Sequence, residues 1–379
     1  MLVSLRRIQL WRAVSTLFVL AAATFAVSAC GSTSSGGSAT SGSSASSLAK
    51  ADGVLKQAAQ RPTSISVTQP VGKPIPAGKK VTFVSCGVEA CALQGPILAE
   101  GAKLLDWSVK QVGTDGSPEK VQNALSAAIR DGADAVIVNA ADPDALAKPI
   151  KDAKAAGVEF VTCCSLGQAG DGILYNTATA QQNAKIGEYL AAKVIADSKG
   201  KADTLYVNIS AFEILAAVGK TFTTEHKDLC PKCEVNSIDI PLTSLGKDAP
   251  DRIVSYLRSH PKTNYVALSV ADALGPGLPA ALQAAGLSDR VKIVGQGGNQ
   301  QIYQDMSAGK VLALTPTDLY AYDYLMLDAL ARKFAGAPQQ QTPPPYWLMT
   351  KETMPKLNGP IFPVIEDYKT QWAKIWGKS

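Results

Sequence analysis

Between residues 80 and 165 the chain alternates short apolar runs with helical ones, and this alternation constrains the fold more than any other feature. Val81-Thr82-Phe83-Val84-Ser85 is apolar and β-branched, too short for a buried helix, and it stops at Cys86-Gly87. The run reads as a parallel strand. At Ser117-Pro118 the serine can cap a helix whose first turn holds the proline, and Val121, Ala124, Leu125, Ala128 and Ile129 then fall on one face. Ala135-Val136-Ile137-Val138 is the next clear strand, Asp142-Pro143 opens a further helix that ends at Ala156-Gly157, and Phe160-Val161-Thr162 follows as the fourth strand. The second strand is read over 105–109. Strands alternating with helices imply right-handed crossovers and a parallel sheet covered on both faces. In such sheets ligands bind beyond the carboxyl ends of the strands, here at Cys86, Asn139 and its neighbours to 142, and residues 163–165.

The alternation resumes further on. Helices are predicted over 180–197, 213–226, 249–259 and 278–285, and strands over 205–209, 235–240, 265–269 and 291–294. A strand over 311–315, a helix over 320–334 and a strand-like piece over 346–349 complete the pattern. With 379 residues the chain can build two cores. The fold class is therefore α/β, two similar Rossmann-like lobes with parallel sheets joined by a hinge. The first lobe is placed at 80–177 with a return over 315–345, the second at 178–314, and a terminal segment at 346–379.

The start of the chain reads as a targeting segment. Arg6, Arg7 and Arg12 precede an apolar run over 13–27, and Val27-Ser28-Ala29-Cys30-Gly31 follows. Small residues before a cysteine at the end of such a run form a lipobox, as in bacterial lipoprotein signals. The apolar run is shorter than the roughly 20 residues of a spanning helix. Residues 1–30 are thus expected to be a signal peptide ending at an acylated Cys30, 31–47 a Gly/Ser-rich tether, and 48–79 a lead-in with a short helix over 48–59. The formal net charge of +5 includes the signal's arginines, and nothing in it forms a nucleic-acid footprint.

Six cysteines remain beyond Cys30, in a chain expected outside the cytoplasm, where disulfides persist. Cys230 and Cys233 form a CxxC without a second one, which favours a structural disulfide over a redox pair or half a zinc site. Cys86, Cys91, Cys163 and Cys164 are the other disulfide candidates, and their connectivity is open. His226 and His260 have no nucleophile or metal partner at telling spacing and read as solvated surface. Asp142 and Asp144 fit a helix start better than a catalytic pair. Gly295-Gln296-Gly297-Gly298 lacks the lysine of a phosphate loop. Trp372 and Trp376, four apart, suit a docked terminal helix. No enzyme, cofactor or metal site is expected.

Several stretches together resemble a known family: Lys80-Val81-Thr82-Phe83-Val84, the run from Gln122 through Asp131-Gly132-Ala133-Asp134 to Asn139, Ala153-Lys154-Ala155-Ala156-Gly157-Val158, Ser269-Val270-Ala271-Asp272, Val294-Gly295-Gln296-Gly297-Gly298 and Ser307-Ala308-Gly309-Lys310-Val311. The chain resembles the ribose- and galactose-type periplasmic binding proteins, the type I solute-binding components of ABC importers. The resemblance implies a lipid-anchored, monomeric, extracytoplasmic protein that closes on a small molecule and hands it to an ABC permease, or, alternatively, reports it to a membrane receptor. It places ligand contacts at Cys86, Glu89, Asn139, Ser165, Phe212, Asp272, Gln296, Thr317 and Tyr320. The aromatic pair of the family's sugar binders is missing from Val88-Glu89-Ala90-Cys91-Ala92, and Cys163-Cys164-Ser165 replaces the family's Asp-Arg. A sugar, or a less hydroxylated and partly apolar metabolite, is the expected ligand.

Overall fold

The computed structural model describes residues 41–378 other than 142 and 358. The signal peptide, Cys30 and the tether as far as residue 40 lie outside the described residues, as does Asp142. The first element is helix α1, Ser41–Ala58, so the part of the expected tether over 41–47 is helical. Burial of Ala51 and Ala58 anchors this helix, which extends from the packed turns back into the small residues that precede them.

The first lobe follows as β1 (Lys80–Ser85), α2 (Glu89–Leu104), β2 (Ser108–Gly113), α3 (Pro118–Arg130), β3 (Ala135–Asn139), α4 (Ala147–Ala155), β4 (Glu159–Cys163) and β5 (Ile173–Thr177). Its strands are all parallel, in the order β2-β1-β3-β4-β5. The central strand β3 is buried along its whole length, which is why it reads as an unbroken apolar run. The edge strand β2 buries none of its residues fully and carries Ser, Lys and Gln. That polarity hid it: the expected strand over 105–109 is instead the turn where buried Leu105 and Trp107 close α2, and β2 begins at Ser108. The opposite edge, β5, has no counterpart among the predicted strands. Helix α4 starts at Ala147, not at Asp142-Pro143, because residues 143–146 form a turn first.

The second lobe repeats the plan with α5 (Ala180–Asp197), β6 (Asp203–Asn208), α6 (Glu213–Leu229), β7 (Glu234–Asp239), α7 (Ala249–Ser259), β8 (Tyr265–Leu268), α8 (Ala271–Leu274), α9 (Leu278–Ala284), β9 (Lys292–Gln296), α10 (Gln300–Ser307) and β10 (Ala313–Thr315). Its parallel sheet runs β10-β9-β8-β6-β7. Thr179 caps α5 in a reciprocal arrangement with Gln182. His226, expected on the surface, is 0% exposed on α6, with Nε2 3.0 Å from Thr204 Oγ1. Burial pushes its imidazole down to about 4, so it is neutral at pH 7.

The chain then returns to the first lobe through α11 (Leu319–Ala335), which packs on α2 and β5. A Cβ at Gly101 would meet Leu327 Cδ1 at 2.6 Å, so a side chain there would push the two helices apart. Helix α11 is buried on almost every face, because α12 (Tyr368–Trp376) covers the side turned away from the sheet. Trp376 stacks on Tyr324 at 5.5 Å. The buried Asp328–Arg332 pair, 2.6 Å apart, is completed by Trp376 Nε1 donating to Asp328 Oδ1 at 3.0 Å and by Arg332 Nη2 donating to the Gln69 carbonyl.

The described segments over 41–79 and 346–378 each touch both lobes. Helix α1 packs on α5 and α6, whereas Val71 N further on donates to the Ile375 carbonyl at 2.9 Å. The piece over 346–349 makes one antiparallel bridge, Met349 to Leu314, rather than a strand.

Candidate functional site

In each sheet the strand order reverses beside one central strand, between β1 and β3 in the first lobe and between β6 and β8 in the second. Crossovers leave such points on opposite faces, which opens a crevice at the strands' carboxyl ends. The two crevices face each other. Cys86 and Asn139 from the first lobe and Ile209, Val270 and Asp272 from the second line one cavity, with about 730 Å³ of space unfilled by atoms and part of it open to solvent. Of the residues expected to contact ligand, Cys86, Asn139, Phe212, Asp272, Gln296 and Thr317 lie on its wall. Glu89 stands at the outer mouth, on an adjoining hollow that Phe212 and Asp272 also line.

Two expected contacts fall elsewhere. Ser165 is buried behind the wall, where its Oγ accepts from Asn176 Nδ2 at 3.1 Å. Tyr320 faces the outer side of α11 and packs on Tyr368 with ring centroids 5.0 Å apart. The helical turn explains the placement of Tyr320. Leu319 and Tyr322, three residues apart, face the cleft, and Tyr320 is rotated away from both. Tyr322 is the tyrosine of this site.

The first-lobe wall is a connected polar network. Cys86 N donates to Asn139 Oδ1 at 3.0 Å, Asn139 Nδ2 donates to Gln94 Oε1, and Gln94 Nε2 donates to Asp323 Oδ1 at 2.7 Å. Asp323 is 0% exposed on α11, and burial together with the neighbouring Cys163 pushes its carboxyl well above the usual range. A protonated acid at that place accepts from Gln94 without a buried charge. A disulfide joins Cys86 to Cys91 and fixes the loop that carries Val88 and Ala90 over the cavity. Cys230 and Cys233 are bonded at the far end of α6.

Cys163 and Cys164 are free thiols, Sγ to Sγ 3.1 Å, which corrects their place among the disulfide candidates. Neighbouring residues across a trans peptide hold their Cα atoms about 3.8 Å apart, closer than an ordinary disulfide spans. Cys164 reaches the cavity, while Cys163 is buried and its thiol is pushed up by the Cys164 sulfur and by burial.

The second-lobe wall is mostly apolar, with Ile209, Phe212, Ile214, Leu215 and Val270. Three polar groups interrupt it, and of these Asn183 is satisfied, donating to the Ala178 carbonyl and accepting from Tyr346 Oη, both at 2.9 Å. Gln296 is 8% exposed, and its Oε1 has no hydrogen-bond partner among the described residues. Asp272 accepts from Gly298 N at 3.3 Å. This approach depends on Gly297, whose φ is +81° and whose added Cβ would stand 2.4 Å from Asp272 Oδ1. Burial pushes the Asp272 carboxyl up to about 6, Gly298 N–H draws it down, and Glu89 across the cleft adds a like charge. Asn299 Nδ2 lies 3.4 Å from Glu89 Oε2 and 3.4 Å from the Asp272 carbonyl, so it joins the two lobes at the mouth.

Gln94 and Tyr322 were not legible as lining residues, whereas Cys164 falls in the strand end over 163–165 that the sequence pattern marked. Gln94 carried one usable signal, a polar residue on the otherwise buried face of α2 between Cys91 and Leu98.

Residues 97–338 match the family described as periplasmic binding protein domain. Solved structures agree in fold. A 5-methylthioribose transporter solute-binding protein from Thermotoga lettingae, in complex with 5-methylthioribose, is 22% identical with a TM-score of 0.64, over 73% of this chain and 88% of its own. An ABC transporter solute-binding protein from Agrobacterium vitis with bound allitol is 18% identical, TM-score 0.63, over 73% and 96%. A periplasmic ribose ABC transporter protein from Conexibacter woesei is 18% identical, TM-score 0.60, over 74% and 95%.

Proposed function

The chain belongs to the periplasmic binding protein domain family, and on that premise we propose that it captures a small organic solute between its lobes and delivers it to an ABC permease. One observation carries this reading: the cavity takes its walls from the switch points of both sheets, so a solute held there touches both lobes at once. A ligand that contacts both lobes binds the closed arrangement better than the open one and shifts the population towards it. The bending falls on the segments that cross between lobes, among them residues 316–318 between β10 and α11. Anchoring through Cys30, and placement outside the cytoplasm where the Cys86–Cys91 and Cys230–Cys233 disulfides persist, complete the proposal.

The test is a thermal-shift screen of the soluble chain against polyols, sugars, amino acids, amines and apolar metabolites, followed by small-angle scattering on any hit. A solute that binds only the folded state raises the melting temperature, and one that closes the lobes also lowers the radius of gyration. Binding without compaction would overturn capture by closure.

A further inference from the structure

The cavity and the hollow at its mouth carry carboxylates and no opposing charge. Asp272 lines both spaces, Glu89 and Asp115 line the outer one, and no lysine, arginine or histidine is found among the lining residues of either. The acids belong to different lobes, Glu89 in the first turn of α2 and Asp115 after β2 to the first and Asp272 on α8 to the second, so closing the cleft brings like charges together. Burial and Glu89 already act against ionisation of Asp272. An independent observation points the same way. Gln296, on the same wall and nine-tenths buried, has an Oε1 without a hydrogen-bond donor among the described residues. Phe212 spans the border between the two spaces and offers an aromatic face to whatever enters. Beyond these groups the second-lobe side is aliphatic apart from Asn183, while on the first-lobe side Gln94 and Asn139 are already hydrogen-bonded to each other.

We infer that the solute is an organic cation, an ammonium group on an apolar body, with its charged end between Asp272 and Glu89 and its body against Phe212 and the aliphatic wall. The inference rests on the capture reading above and names its substrate class. An ammonium neutralises the repulsion that opposes closure, donates to carboxylate and amide oxygens, and leaves its carbon atoms on a surface that offers polyol hydroxyls few partners. Carboxylate and phosphate solutes meet no cation here. A bare metal ion would meet too few oxygens on a mostly apolar wall.

Calorimetry with four probes of similar size tests this: 2-phenylethylamine, 2-phenylethanol, 3-phenylpropionate and D-allose. The amine is expected to bind about tenfold or more tighter than the alcohol, since a buried charge pair discriminates at least that strongly against a partner lacking the charge, and the other two are expected to bind weakest. Asp272→Asn should bring the amine-to-alcohol ratio close to one, and Asp272→Glu should retain most of it. The melting temperature of each variant verifies folding. Equal or tighter binding of the alcohol, the acid or the sugar overturns the cation assignment, as does a ratio that Asp272→Asn leaves unchanged, or a wild-type chain that binds none of the four. The two readings fail separately. If another neutral or anionic solute from the wider screen compacts the chain, capture stands and the cation assignment falls. If no solute in that screen binds, both fall.

Discussion

The two walls of the cleft are built on the same sheet plan but satisfy their polar groups differently. On the first-lobe side Cys86, Asn139, Gln94 and Asp323 form a continuous run of hydrogen bonds, reinforced by the Cys86–Cys91 disulfide, that ends at Asp323, whose Oδ2 has no partner among the described residues. On the second-lobe side Gln296 Oε1 has no partner among the described residues, and Asp272 is pushed towards protonation by burial. The contrast separates a wall whose polar side chains are bonded to one another from a wall whose polar groups stand apart from one another. Stability is thus concentrated in one wall and binding energy held in reserve in the other.

The sharpest way to break this contrast is to remove one member from each wall. Gln94→Leu deletes the donor to Asp323 and the acceptor of Asn139 Nδ2, and should cost about 3 kcal/mol in denaturant unfolding. Gln296→Leu removes an unsatisfied group and should change stability by less than about 0.5 kcal/mol while weakening ligand binding. Comparable losses from both would refute the distinction.

A pH titration of stability addresses the second lobe through His226. The unfolded chain takes up a proton on this residue below about 6.5, whereas the folded chain does so only near 4, so stability drains as pH falls across that window. The loss should reach about 2–3 kcal/mol by pH 4. His226→Gln should flatten that part of the curve, and an unchanged curve would show that other groups dominate it.

The two disulfides offer a comparison of intermediate size. Each closes a short loop, five residues apart for Cys86–Cys91 and three for Cys230–Cys233, so replacing either pair by serine should cost about 2 kcal/mol. Only the first pair lies on the cavity wall, so only its loss should also weaken ligand binding.

The smallest effect has the opposite sign. Asp272 carries its proton up to about pH 6 in the folded chain and to about 3.8 unfolded, so rising pH through this window destabilises the empty protein. The groups that face it are Glu89, Tyr303, Asn299 and the Gly298 N–H. Asp272→Asn should therefore stabilise the empty protein by on the order of 1 kcal/mol above pH 6, and this gain should vanish below pH 4. A melting temperature that falls at pH 7.5 would show that the carboxylate is already satisfied without a ligand.

The residues themselves determined the doubly lobed α/β fold, because strand and helix periods are local properties and β3, β4, β6 and β8 are buried on both faces. The strand pattern put Cys86 and Asn139 at strand ends, the family resemblance added Phe212, Asp272, Gln296 and Thr317, and all six line the cavity between the lobes. Only the tertiary structure decided what periodicity does not contain. It exposed β2 at a sheet edge, buried His226, and turned Tyr322 rather than Tyr320 towards the cleft. It also joined Gln94 to Asp323 across more than two hundred residues of chain. Each of those outcomes depends on which distant element packs against a given face, and a local pattern of apolar residues shows that a face is covered without showing by what.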